Sequence, residues 1–356
     1  MTEVKNKETV SSFILKVLNG TTVAIVVALI PNAILATFLN PFVENSQFAA
    51  NLLAIVQIFQ FFTPIMAGFL IALQFKFNAI QAACVGGAAY IGSGAWKFVE
   101  VTMGGETSKI FQLAGIGDVI NVMLVSALAV LVIKAIGNKL GSLNLVLLPI
   151  IVGAGVGFIG TLTLPYVSMI TTIIGRGINS FTSLQPVLMT ILIAASFSII
   201  IISPISTVAI ALAIGLDGIS AAASGMGVAA AAAYLVWATA KVNDSGVPLA
   251  IGLGGMKMMM PNFLTHPIMA LPVAVTAAIS SLSIPILGMT GTPKSAGFGF
   301  VGLVSPLEAY NSGSVSLLMM FVTWIVIPFA VGYIVHQIFC KKLKLYSEDI
   351  FIFKAN

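Results

Sequence analysis

The sequence predicts an all-α fold: a polytopic membrane protein of about ten transmembrane helices, with two re-entrant hairpins in its second half. Three observations carry this. Only 8% of the 356 residues are charged, whereas 59% are hydrophobic, and soluble domains carry about 25% charged residues. Mean hydropathy is +1.10. Long apolar runs follow one another along the chain, where a β-barrel would show short alternating strands. A chain this poor in charge cannot cover a surface for water, so its solvent is lipid.

About 20 apolar residues cross a bilayer core. Nine runs meet that length: 21–39, 48–74, 78–96, 115–136, 143–164, 186–204, 205–237, 267–284 and 314–339. Residues 10–19 read as a short interfacial helix ahead of the first run, with no signal-peptide cleavage pattern. The net charge of +5 gathers at the ends, on Lys5, Lys7, Lys16, Lys341, Lys342 and Lys344. By the positive-inside rule both termini are cytoplasmic, which requires an even number of spans. The tenth comes from 166–184, which contains Arg176 and otherwise reads as an interfacial helix, or from 247–262. Pro31, Pro64, Pro149, Pro204 and Pro272 interrupt runs, since proline removes a backbone donor. The glycine-dense stretches 85–94 and 151–160 read as close helix contacts. The longest polar connection, 99–109, is too short to fold alone. Juxtamembrane lysines account for the basic charge, so no nucleic-acid partner is expected. The two cysteines, Cys84 and Cys340, give neither a disulfide framework nor a zinc spacing.

Charge is placed unevenly. In the first half it flanks the runs. In the second half Asp217, Lys241, Asp244, Lys257, His266, Lys294 and Glu308 interrupt or border them. A charge at the bilayer centre costs about 2.5–3.5 kcal/mol on insertion scales, so several in one region imply a shared polar cavity. Two stretches there are too rich in Gly and Pro for regular helix: "NDSGVPLAIGLGGMKMMMPNFLTHP" from Asn243, and "IPILGMTGTPKSAGFGFVGLVSPLEAY" from Ile284. They give the expected hairpins, at about 243–262 and 285–310. Irregular backbone at membrane depth survives only where protein or a wet site satisfies it, and such breaks surround the solute in transporters. Competing readings stay open: Asp217 and Asp244 as helix caps, Lys257 as a snorkelling residue, and the Met run 256–260 as gap-filling rather than a ligand box.

"NDSGVPLAIGLGG", "NFLTHP", "GTPKSAGFG" and "SPLEAY" resemble the membrane-embedded IIC component of the bacterial sugar phosphotransferase system, in its glucose-type superfamily. More narrowly, the chain is similar to a short EIIC-like branch, some of whose members are described as regulators of perfringolysin O expression. The resemblance implies a first half, 1–180, that forms a scaffold and dimer interface. It implies a second half, 181–356, that holds the sugar with a His and a Glu on its hydroxyls. His266 takes the first position. Where the family reads Gly-Ile/Val-Thr-Glu-Pro, this chain has Gly291, Thr292, Pro293 and Lys294, and Glu308 lies further on. The expected substrate-binding set is His266, Lys294, Glu308, Asn243, Asp244, Lys257 and Thr292, with no metal and no cofactor.

The expected function is a transporter of a small polar solute, a sugar or sugar derivative, by alternating access in the bacterial cell membrane. The alternative is a membrane sensor that binds the solute without moving it. A lysine in a dehydrated site needs a partner. That partner is either internal, Glu308 or Asp244, with a neutral solute, or the anionic group of the solute itself. A homodimer and a separate IIB-like cytoplasmic protein are the expected partners. No metal-ligand spacing or Ser–His pairing supports an enzyme acting alone, and no repeated filter loop supports a channel.

Overall fold

The computed structural model describes residues 9–103, 106–137 and 139–354. It is predominantly helical, as the apolar composition leads one to expect. Among the described residues six helices are long and apolar enough to cross a membrane: Val10–Ala36, Val119–Ile136, Asn144–Ser183, Gly218–Thr239, Pro267–Leu287 and Leu317–Lys342. The pair Gln47–Phe61 and Thr63–Gln74 makes a seventh if it counts as one broken span, and Ala79–Gly92 and Pro186–Ile201 are shorter apolar helices.

Several boundaries differ from the sequence expectation. Residues 10–19 are not a separate interfacial helix; they open a continuous helix, Val10–Leu39, that carries Pro31 inside it. The segment 166–184 is likewise no independent element. It continues the helix Gly157–Asn179 through Pro165, itself joined to Asn144–Leu148 by a π-helical stretch, Pro149–Val156. Proline at the start of that stretch supplies no N–H, and the extra residue per turn absorbs the gap. The run 205–237 is broken rather than continuous. The helix Thr207–Ala213 ends before Gly215, whose φ of +65° reverses the chain. A new helix, Gly218–Thr239, then starts from Asp217 at its N-cap, with the Ser220 hydroxyl accepting the Asp217 N–H at 3.2 Å.

The polar connection around 99–109 is a β-hairpin. Trp96–Met103 pairs antiparallel with Glu106–Leu113, and Trp96 lies opposite Leu113. Glu100 and Lys109 face each other in this register and form an exposed ion pair at 3.6 Å. Trp96, Phe98 and Phe111 pack their rings together, with centroids 4.3–5.6 Å apart.

The chain divides into two compact units. The first contains the described residues up to Ile25, Phe61–Pro165 and Lys354. Its helices approach through glycine: a Cβ on Gly92 would lie 2.9 Å from the Gly160 Cα. Asn121 is fully buried there. Its amide donates to Gly92 O (2.6 Å) and Gly160 O (2.9 Å), and Thr163 donates to its oxygen (2.8 Å). Every polar atom of that side chain thus has a partner inside an apolar bundle, as burial demands.

The second unit contains Val26–Gln60 and Tyr166–Phe353. Its centre is the alanine-rich helix Gly218–Thr239, buried on nearly all sides. It packs on Pro186–Ile201, Ala270–Ser281 and Ile327–His336. Small residues make this possible. A Cβ on Gly227 would overlap the Ala194 carbonyl, and one on Gly332 would reach the Tyr234 backbone at 3.1 Å.

Candidate functional site

Both Gly- and Pro-rich stretches of the second half are irregular. The first runs as a short helix Gly246–Gly252, a 3-10 turn Met256–Met259 and a short helix Met260–Thr265. Gly254, at φ +115°, makes the break. Four methionines around Lys257, Met256, Met258, Met259 and Met260, are buried and fill the core. Lys257 is buried as well. Its ammonium donates to Ser203 O at 2.6 Å and to Ile205 O at 2.8 Å. These carbonyls follow the end of the helix Pro186–Ile201, where Pro204 offers no N–H. The lysine therefore closes a helix C-terminus, the end where a cation is favoured.

Asn243 and Asn262, near either end of this stretch, hold the C-terminal segment. Asn262 donates to Ile350 O and Ile352 O, both at 2.8 Å. Asn243 donates to Thr239 O (3.0 Å) and Phe351 O (2.9 Å) and accepts from the Phe353 N–H at 2.6 Å. The two amides thus act like a neighbouring strand for residues 350–353. Asp244 is exposed, and its carbonyl accepts from the Val247 N–H. His266 is exposed, with Nδ1 3.0 Å from the Thr265 hydroxyl.

The second stretch begins after the helix Ser283–Leu287, which ends on Gly288 in the left-handed conformation. Gly291 then pairs with Gly218 through two reciprocal N–H···O bonds of 3.0 Å. This ties the stretch to the N-terminus of the alanine-rich helix. From Thr292 to Phe300 the chain forms turns, and side-chain hydroxyls bond several of its backbone groups. Ser295 accepts the Thr292 N–H (2.9 Å), Ser224 accepts the Gly297 N–H (3.0 Å), and Ser305 accepts the Gly299 N–H (2.9 Å). Thr207 donates to Gly297 O (2.8 Å), and Ser305 donates to Ser295 O (2.7 Å). All four of these side chains are buried. Gly297 and Gly299 have positive φ, and a Cβ on either would meet backbone below 3 Å.

Thr292 is half-buried and Lys294 exposed. Glu308 is half-buried on the helix Val304–Asn311. Among the described residues no hydrogen bond or ion pair joins His266, Lys294 and Glu308, so the internal partner weighed for Lys294 is not formed. The second stretch and the turn after Val304–Asn311 also hold a hydroxyl cluster that sequence reasoning missed. Thr290 Oγ1 is 3.1 Å from Ser314 Oγ, which is 2.7 Å from Ser312 Oγ. A "Ser-Gly-Ser" turn after a short helix was its only sequence signal. A separate pocket of about 500 Å³ lies in the first unit, lined by Tyr90, Ile91, Trp96, Phe111, Gln112 and Leu113. It is mostly apolar and contains none of the expected site residues.

The comparisons agree with the motifs. The family described as "Phosphotransferase system, EIIC" matches residues 15–353. The curated proteins and the solved structures give no match. With nearly the whole chain matched, and with several helices apolar enough to span a membrane, the chain belongs to the EIIC components of the phosphotransferase system, multi-pass membrane subunits that carry sugar while separate partner proteins perform phosphotransfer.

Proposed function

We propose that this chain moves a small sugar or sugar derivative across the bacterial cell membrane by alternating access, handing it to a separate IIB-like partner. The two irregular stretches enter the membrane without crossing it, and both termini face the cytoplasm. Residues 1–180 act as scaffold and homodimer interface, and 181–356 hold the sugar. His266, Thr292, Lys294 and Glu308 contact it, with Asp244 at the rim. Asn243 and Lys257 act indirectly, by fixing the backbone on which these groups stand.

One observation supports this reading above the others. Buried hydroxyls of Ser224, Ser295, Ser305 and Thr207 already bond the Thr292, Gly297 and Gly299 N–H groups and the Ser295 and Gly297 carbonyls, which holds the turns of the second stretch without a solute. A preorganised irregular segment leaves its outward groups free for recognition, as broken segments do in transporters. Lys294 is exposed and has no ion pair among the described residues, so its ammonium is open to an anionic group on the sugar, such as that of a sugar acid. Counterflow of labelled sugars and sugar acids in proteoliposomes tests the proposal. Saturable uptake that falls in Lys294→Gln is expected. Saturable binding with no flux would instead make the chain a sensor.

A further inference from the structure

Outside the proposed sugar site, the last long helix and the tail that follows it bring together three metal-ligating side chains. His336 and Cys340 lie four residues apart, near the end of Leu317–Lys342, and so share a helix face. The chain then turns, and the 3-10 segment Glu348–Phe351 returns Glu348 to them. One ligand atom from each of His336, Cys340 and Glu348 lies within 4.8 Å of the other two. His336 Nε2 is 3.2 Å from Glu348 Oε1.

The histidine of this cluster is also buried. His336 is 3% exposed, and its Nδ1 is a buried nitrogen without a hydrogen-bond partner. Buried imidazole nitrogens are almost always bonded. Glu348 meets Nε2, the nitrogen that would carry a ligand, while Nδ1 has no partner among the described residues. The surroundings hold the ring firmly: the Tyr234 ring meets it edge-on at 6.0 Å, and the Tyr234 and Tyr346 hydroxyls bond each other beside it.

From this geometry we propose that His336, Cys340 and Glu348 bind one divalent cation of the zinc class. An imidazole, a thiolate and a carboxylate form a donor set suited to zinc rather than to magnesium or calcium, which prefer oxygen. Tetrahedral bonds of about 2.0–2.3 Å put ligand atoms roughly 3.3–3.7 Å apart. The His–Glu pair already meets that spacing, and the widest pair closes to it by about one ångström through side-chain rotation. Thiolate and carboxylate together neutralise a dication, which matters because Lys241 and Lys341 place positive charge nearby. Three protein ligands leave a fourth position for water. The ion would fasten the C-terminal segment to the last helix, adding to the hold that Asn243 and Asn262 exert from the other side.

The test uses the full-length protein in detergent, stripped with a chelator and titrated with Co²⁺. Metal content is measured after desalting, together with the absorption spectrum. The proposal expects about one Co²⁺ per chain, a thiolate-to-cobalt charge-transfer band, and displacement of both by Zn²⁺. Cys340→Ser abolishes the band and Cys84→Ser leaves it intact. Glu348→Gln weakens Co²⁺ binding by about tenfold or more. Because the wild-type spectrum is read first, a variant that fails to fold does not decide the matter. No retained cobalt in the wild type, a band that survives Cys340→Ser, or a band lost only in Cys84→Ser overturns the proposal.

Discussion

Replacing Lys257 by methionine separates a structural lysine from a substrate-binding one. The buried ammonium donates to Ser203 O and Ile205 O at 2.6 and 2.8 Å. Hydrogen bonds to charged groups contribute about 1.5–3 kcal/mol each. The two share one donor group, and removing it also removes the cost of burying a charge, so their values do not simply add. The carbonyls left behind are held in a short segment around Pro204 and cannot easily find new donors. Methionine matches the stem in length and joins four buried neighbours of the same type, so no cavity forms. A net destabilisation of about 2–4 kcal/mol follows. It is read as a lowered unfolding midpoint in detergent, by heat and by denaturant. Sugar affinity, measured below the new midpoint with a sugar that shifts the wild-type protein in a thermal screen, should stay within about twofold. If Lys257→Met unfolds like the wild type but loses sugar binding, the lysine faces the sugar and the helix-closing role is refuted.

Three further outcomes follow from the same geometry. Lys294→Gln should weaken binding of an acidic sugar by about 1.5–3 kcal/mol without moving the unfolding midpoint; normal binding in Lys294→Gln together with loss in Glu308→Gln would mean a neutral sugar. Asn262→Leu removes two bonds to the tail and should cost about 1–3 kcal/mol, with faster amide hydrogen exchange across 350–353; unchanged exchange there would contradict the clamp. Single cysteines placed at positions 3 and 354 should react with impermeant reagent from the cytoplasmic side only, and labelling from opposite sides would reject the even-span topology.

Much of this was legible in sequence because it rests on local composition. Low charge and long apolar runs require lipid. The density of Gly and Pro around 243–267 and 284–310 marks irregular backbone, and both stretches are irregular. The motifs in them lead to the family that matches the chain. What escaped has identifiable causes. The hairpin Trp96–Leu113 mixes Lys97, Glu100 and Lys109 with aromatic and β-branched residues, and a window long enough to find spans averages that alternation away. Its Gly104-Gly105 pair, flanked by such runs, is a hairpin signal that a search for spans passes over. Pro31 reads as an interruption of the run 21–39, and the runs 143–164 and 166–184 are separated at residue 165, yet helices continue through Pro31 and Pro165, as membrane helices allow when neighbouring groups satisfy the freed carbonyl. The reach of Asn243 to residues 351 and 353, and of Asn262 to 350 and 352, covers sequence separations of 88 to 110 residues, and no local pattern encodes it.

The two irregular stretches are anchored to different things, and this bears on how the half proposed to hold the sugar could move. The second is bound to the core of its unit. Gly291 pairs with Gly218, Ser224 of the same alanine-rich helix holds Gly297, and Thr207 holds Gly297 from another side. Shifting that stretch alone would break several buried hydrogen bonds together, each costly to leave unmade. It therefore travels with the alanine-rich helix as one body. The first stretch is fixed by Lys257 to the end of Pro186–Ile201 and by two asparagines to the tail. The tail carries no long helix of its own and rests on those amides, on Tyr346 and Phe351, and on the contact between Glu348 and His336. A change at the tail, through a partner protein or a bound cation, thus acts on the first stretch, where His266 stands, before it acts on the second, where Lys294 and Glu308 stand. Coupling between a cytoplasmic partner and the sugar site would then run through Asn243 and Asn262 rather than through the packed alanine-rich core.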